Sequence, residues 1–153
     1  MASSRADAQT QTSKQKEYYS DFFDSFANSP IGGDLSRITN ERSVKQSIRN
    51  LVLTNLGGFD LNTNNRVAGE RLFQPLLGTD VNRSLFELSD VSTFATVKTS
   101  IEDAIRNNEP RASNVTVEVT GENDLEYMQI YVTFAIINTT TPVSVTLNLK
   151  RVR

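Results

Sequence analysis

The tripeptide Glu109-Pro110-Arg111 sets out the chemistry this chain can offer. The residues before it, 93–108, read as a helix, so Glu109 falls at a helix C-terminus, where the macrodipole disfavours negative charge. Pro110 cannot continue a helix and pushes Glu109 towards an extended backbone. Arg111 follows directly. An acid on the wrong end of a helix, held by a stiff turn beside a cation, is the chemistry of a shaped contact surface. The same residues also fit a helix that stops at a proline, with Glu109 pairing locally to Arg106 or Arg111. Bond-making chemistry is narrowed by what is missing. The chain has no histidine and no cysteine, which excludes Ser-His-Asp and Cys-His nucleophiles, the usual zinc sites and any disulfide. No cofactor and no metal is expected. The net charge of −2 lacks the basic excess of a general nucleic-acid binder. No apolar run reaches membrane-spanning length and the front end has no signal-peptide core, which reads as a soluble protein made without export.

The elements that position the turn are legible from periodicity. The main helix should be capped by Ser92 and should turn Phe94, Val97, Ile101, Ala104, Ile105 and Asn108 inward. An earlier helix, capped by Asn40 or Ser43, should bury Val44, Ile48, Leu51 and Val52, and Gly57 and Gly58 should stop it. Residues 59–68 read as a loop or small excursion. A short helix over 81–88 should bury Leu85, Phe86 and Leu88.

After Arg111 the pattern switches to period two. Val115, Val117 and Val119 alternate with polar residues, as do Met128, Ile130, Val132, Phe134 and Ile136, and then Val143, Val145, Leu147 and Leu149. These predict a three-stranded antiparallel meander with one apolar face covered by the two helices, an α+β fold. The long strand over 127–137 should be central, leaving an outer edge open. Lys150, Arg151 and Arg153 would guard that edge. In front, residues 1–16 are polar and lack apolar periodicity. Tyr19, Phe22, Phe23 and Phe26 follow at helical spacing, as one face that packs on the domain itself or docks a neighbour. The chain thus reads as an N-terminal extension, 1–36, and a domain, 37–153.

The order of short motifs resembles a known family. They are Arg42-Ser43-Val44-Lys45-Gln46-Ser47-Ile48-Arg49-Asn50-Leu51-Val52-Leu53-Thr54, Gly69-Glu70-Arg71-Leu72-Phe73-Gln74-Pro75, Gly78-Thr79-Asp80-Val81, Leu85-Phe86-Glu87, and Ile101-Glu102-Asp103-Ala104-Ile105-Arg106-Asn107-Asn108-Glu109-Pro110-Arg111. Together they resemble the lysozyme-like baseplate wedge proteins, the sheath initiators of contractile-tailed phages, which have relatives in type VI secretion baseplates. The chain departs at residues 57–68, where the family passes to the Gly-Glu-Arg turn by a shorter link.

The resemblance implies a structural, non-enzymatic virion component of the tail baseplate, present in multiple copies in a ring and assembled in the host cytoplasm. It implies docking of Glu109, Pro110 and Arg111 on a helical core bundle of other wedge proteins, and a sheet edge that tail sheath subunits extend. No nucleic-acid or membrane partner is implied. Tyr19, Phe22, Phe23, Phe26, Lys150 and Arg151 are further candidate partner contacts. Gly69, Glu70 and Arg71 read as an architectural turn, with Arg71 bonding local carbonyls, Glu87 or Asp80, and Phe73 filling the core. On this reading Arg111→Ala blocks wedge assembly and leaves thermal unfolding of the isolated domain nearly unchanged. The family's lysozyme label raises a peptidoglycan glycosidase as the rival. Glycoside hydrolysis needs two carboxylates across a cleft, one with a raised pKa. Glu70, Glu87 and Glu109 are the available acids, and each has an arginine nearby in sequence.

Overall fold

In the computed structural model, residues 19–26, 34–60, 65–67, 69–71, 73–87, 90–122, 127–137 and 141–150 are described. The front residues 1–16, Leu88 and Arg151 lie outside them. The elements are β1 (Ser20–Phe22), β2 (Arg37–Thr39), α1 (Glu41–Leu53), β3 (Gly58–Asp60), β4 (Asn65–Val67), α2 (Val81–Ser84), α3 (Val91–Asn108), β5 (Ala112–Glu122), β6 (Tyr127–Ile136) and β7 (Pro142–Lys150). The last three strands form an antiparallel sheet in the order β5-β6-β7. Helices α1 and α3 cover one face, α3 lying along β5 and α1 against β7. The fold is the expected α+β arrangement, with β6 central.

The core follows the apolar periodicities. Val44, Ile48, Leu51 and Val52 of α1 meet Val97, Ile101, Ala104 and Ile105 of α3 and every second residue of β6 from Met128 to Ile136. The opposite sheet face carries Thr116, Glu118, Tyr131, Thr133, Ser144 and Thr146, all exposed. Helix limits differ from expectation. Asp90, not Ser92, caps α3 by accepting the Thr93 N–H at 2.7 Å. At α1 the cap position is Asn40, but its side chain accepts the Tyr19 N–H instead, and Ser43 is buried inside the helix. Helix α1 ends at Leu53, before the two glycines, because Thr54 turns extended. Helix α2 has only four residues; Val81 and Ser84 are its buried residues, and Phe86 beyond it is exposed. Asn108 is exposed too, its side chain turned back to donate to Ala104 O.

The aromatic segment is not a helix. Residues 20–22 pair antiparallel with 37–39, Ser20 opposite Thr39 and Phe22 opposite Arg37. So short a helix would be marginal alone. Asp21 also bonds nearby backbone, accepting the Phe22 N–H. Gln46 of α1 completes the arrangement, donating to the Phe22 carbonyl and accepting the Asp24 N–H.

Hydrogen-bond directions in the sheet can be assigned. Arg111 O accepts from Ile137 N, Ser113 Oγ donates to Ala135 O, and Thr120 Oγ donates to Gln129 O, so odd-numbered residues of β6 face β5. By alternation the even ones face β7, where their partners are Val143, Val145, Leu147 and Leu149. The backbone of Ser144, Thr146, Asn148 and Lys150 therefore points to the outer edge. Pro142, which has no N–H, sits on that same edge register, where it breaks no ladder bond.

Candidate partner-binding site

The turn after α3 is built inward. Glu109 N still donates to Ile105 O at 2.8 Å, completing the helix, and its backbone then opens to φ −123°, ψ 77° ahead of Pro110. This swings the Glu109 side chain against α1, where it is 3% exposed. Arg111 clamps it with two parallel bonds, Nε to Oε1 at 2.6 Å and Nη2 to Oε2 at 2.8 Å. Arg111 Nη1 also donates to Ser43 Oγ at 3.2 Å, and the guanidinium lies 5.6 Å from the centroid of the Tyr19 ring. Burial pushes the Glu109 carboxyl up, but bonds from Arg111 and Ser47 and the Arg111 charge outweigh it, leaving the pKa below its ordinary value. The partnership with Glu109 raises Arg111.

Of the two arrangements open to the sequence, the local pair with Arg111 is the one formed within the chain. Arg106 bonds Asp103 instead. Three of the five guanidinium N–H groups are used on Glu109 and Ser43, leaving two, and the Arg111 side chain is 25% exposed next to an exposed Pro110. The pair also overturns one expectation. Arg111→Ala would strand a buried carboxylate, so unfolding cannot stay unchanged. Sequence reasoning missed Ser43 and Ser47 as members of this site. Their i, i+4 spacing beside Val44 and Ile48, hydroxyls within an apolar stripe, was the available signal.

A pH dependence follows. A carboxylate with a depressed folded-state pKa stabilises the protein above the ordinary value near 4.5, and that contribution is lost as pH falls through the folded pKa below it. The stability advantage of the native chain over Glu109→Gln is expected to shrink below about pH 4.5. Chemical denaturation at a series of pH values checks this; an advantage that stays constant down to pH 3 contradicts it.

Of the four aromatics, Tyr19 joins the Arg111 network, while Phe22, Phe23 and Phe26 are 54%, 40% and 69% exposed. The Gly69-Glu70 turn is stitched to the end of α1: Glu70 N donates to Asn55 O, and Asn55 N returns a bond to Glu70 Oε2. Gly57 and Gly69 face each other so closely that a Cβ on Gly57 would lie 2.3 Å from Gly69 N. Arg71 and Phe73 depart from expectation. Arg71 is exposed and pairs with neither Glu87 nor Asp80, and Phe73 is 93% exposed, because this turn runs over the surface of the domain rather than into its core.

The two outer strands differ. On β5 the outward Val117 N–H is taken by Glu102 Oε1 of α3 at 3.4 Å. On β7, among the described residues, no group pairs with the outward backbone. Alongside β7 runs a groove of about 820 Å³, walled by Arg42, Lys45 and Arg49 of α1 and floored by Ile38, Leu53 and the strand itself. Lys150, exposed, closes the strand.

The chain is similar to known proteins. A family model described as baseplate wedge protein gp25 matches residues 39–141. Baseplate wedge protein gp25 of Enterobacteria phage T4 is 31% identical over 105 residues, 69% of this chain and 70% of that protein. The chain belongs to the baseplate wedge protein gp25 family. Two solved structures share the fold. One, named for a tail lysozyme of Geobacter sulfurreducens, has a TM-score of 0.57 at 18% identity, covering 74% of this chain and 92% of the other. The second is a chain of the six-fold symmetrised baseplate of the anti-feeding prophage, with a TM-score of 0.54 at 19% identity, covering 85% and 83%.

Within the span matched to the gp25 family lie Ser43, Ser47, Gly57, Gly69 and the whole Glu109-Pro110-Arg111 turn, while Tyr19 precedes it and β7 follows. Two of the three candidate acids are already engaged within the chain. Glu109 is buried and held by arginine, which keeps its pKa below the ordinary value, whereas a general acid needs a raised one. Glu70 spends an oxygen on Asn55 N–H.

Proposed function

We propose that this gp25-family chain is a non-enzymatic structural component of a contractile phage tail baseplate, docked on other wedge proteins and starting the tail sheath by strand addition. The bare β7 edge carries the reading. An exposed strand offers N–H and C=O groups in fixed register, and a second chain adds to it with affinity from the backbone and specificity from alternate side chains. The names of the T4 relative and of the anti-feeding prophage baseplate support a place in a multi-subunit, ring-shaped assembly.

Docking uses the surface around Pro110 and the free N–H groups of Arg111, with Glu109 holding the guanidinium in position from behind. Phe22, Phe23 and Phe26 add apolar area to the same role. Lys150 is a described cation on the sheath side.

Omitting this chain from an otherwise complete baseplate is expected to stop sheath polymerisation; sheath growing at the normal rate without it would refute the reading. Docking is tested by Glu109→Leu with Arg111→Met. Apolar replacement of a whole buried ion pair is tolerated or stabilising, so this double variant should fold and yet fail to co-sediment with wedge proteins. Co-sedimentation at the native level would remove the turn from the interface. Clearing of peptidoglycan by the pure protein, abolished by Glu→Gln changes, would restore the glycosidase.

A further inference from the structure

The two outer strands are not equivalent as docking edges, and the difference is chemical. On β5, α3 lies along the strand and Glu102 occupies the Val117 N–H. A second strand approaching there would have to displace that carboxylate. On β7 the backbone of Ser144, Thr146, Asn148 and Lys150 faces outward with no partner among the described residues. The space beside it is a groove of about 820 Å³, and its α1 wall carries three cations. Lys45 is paired with Glu41 at 2.7 Å, whereas Arg42 and Arg49, both exposed, form no ion pair with any described acid. The acid in the lining is Asp24, whose backbone is bound by Gln46.

We infer that the partner strand adds to β7 rather than β5, and that it is an extended segment of another chain bearing acidic side chains at alternate positions against Arg42, Lys45 and Arg49. This rests on the strand-addition reading above. The spacing agrees. Residues 42 and 49 are seven apart on a helix, a rise of about 10 Å, and alternate residues of a strand repeat every ~6.8 Å. Two or three acids on one face of the incoming strand span the row. Its apolar side chains on the same face meet Ile38, Leu53 and Val145. The cations also discourage β7 of a second copy from pairing here, since both copies would bring like charge to the contact.

Amide hydrogen exchange on the full chain, with and without the purified tail sheath subunit of its own particle, tests both parts. Protection is expected in peptides covering 142–150 and not in those covering 112–122. Arg42→Glu with Arg49→Glu should weaken sheath binding at least tenfold and flatten its salt dependence, with the unfolding midpoint unchanged. Thr146→Pro, which removes an outward N–H and no ladder bond, should abolish the protection. Protection confined to 112–122 overturns the edge assignment and leaves strand addition standing. Protection at 142–150 that survives the charge reversal overturns the acidic partner. Protection at neither edge overturns this inference and the strand-addition reading together.

Discussion

Arg111→Ala is expected to lower the unfolding free energy of the isolated chain by about 3 kcal/mol, the cost of leaving a buried carboxylate unpaired. Glu109 is 3% exposed and receives both parallel bonds of the guanidinium, so nothing else in the site replaces that charge. Ser47 and the backbone N–H of residue 111 remain as donors to it, and neither carries a charge. The loss should be largest at neutral pH and shrink in acid, as Glu109 takes up a proton and no longer needs a cation. The apolar double change at 109 and 111 should recover most of the lost stability, because it removes both charges at once. Urea titration of the three proteins separates these outcomes. Equal stability of Arg111→Ala and the native chain would mean that the pair is open in solution. The same comparison separates folding from docking: a variant that is as stable as the native chain and still fails to assemble has lost a contact, not a fold.

Gly57→Ala is expected to cost about 3 kcal/mol, at the upper end for forcing atoms into a filled site. The added methyl would meet Gly69 N at 2.3 Å, Gly69 Cα at 2.6 Å and Pro75 O at 2.9 Å. All three are backbone atoms, which cannot step aside as a side chain can. Gly57 N also donates to Pro75 O at 2.7 Å, so separating the segments breaks the bond that joins them. Gly69→Ala should behave alike, with its Cβ 2.7 Å from Gly57 N and from Pro75 O. Gly78 is held at φ +128° with its would-be Cβ 2.3 Å from Thr54 O, a second place where this surface turn admits glycine alone. Thermal or urea unfolding checks the cost, and a change under about 0.5 kcal/mol for Gly57→Ala would mean that the two segments separate freely.

The sequence by itself determined the sheet and the helix that precedes it. Val117, Met128 to Ile136, Val143 and Leu147 alternate with polar residues, and Val97, Ile101, Ala104 and Ile105 recur at helical spacing; such periods are written by residues adjacent in the chain. The order of the short motifs, from Arg42 to Arg111, was equally local, and it pointed to the family. Only the tertiary structure decided where Glu109 turns, because the serine that completes its clamp stands on α1, 68 residues before Arg111. It made a strand of 20–22, since the partner, 37–39, is not adjacent in sequence and no periodicity reports the pairing. Phe73 and Phe86 look like core from their type, yet the short turn and the four-residue α2 carry them to the surface. The asymmetry of the two sheet edges is decided the same way. In sequence β5 and β7 are similar alternating strands, and they differ because α3 folds back along β5 and sets Glu102 on the outward Val117 N–H.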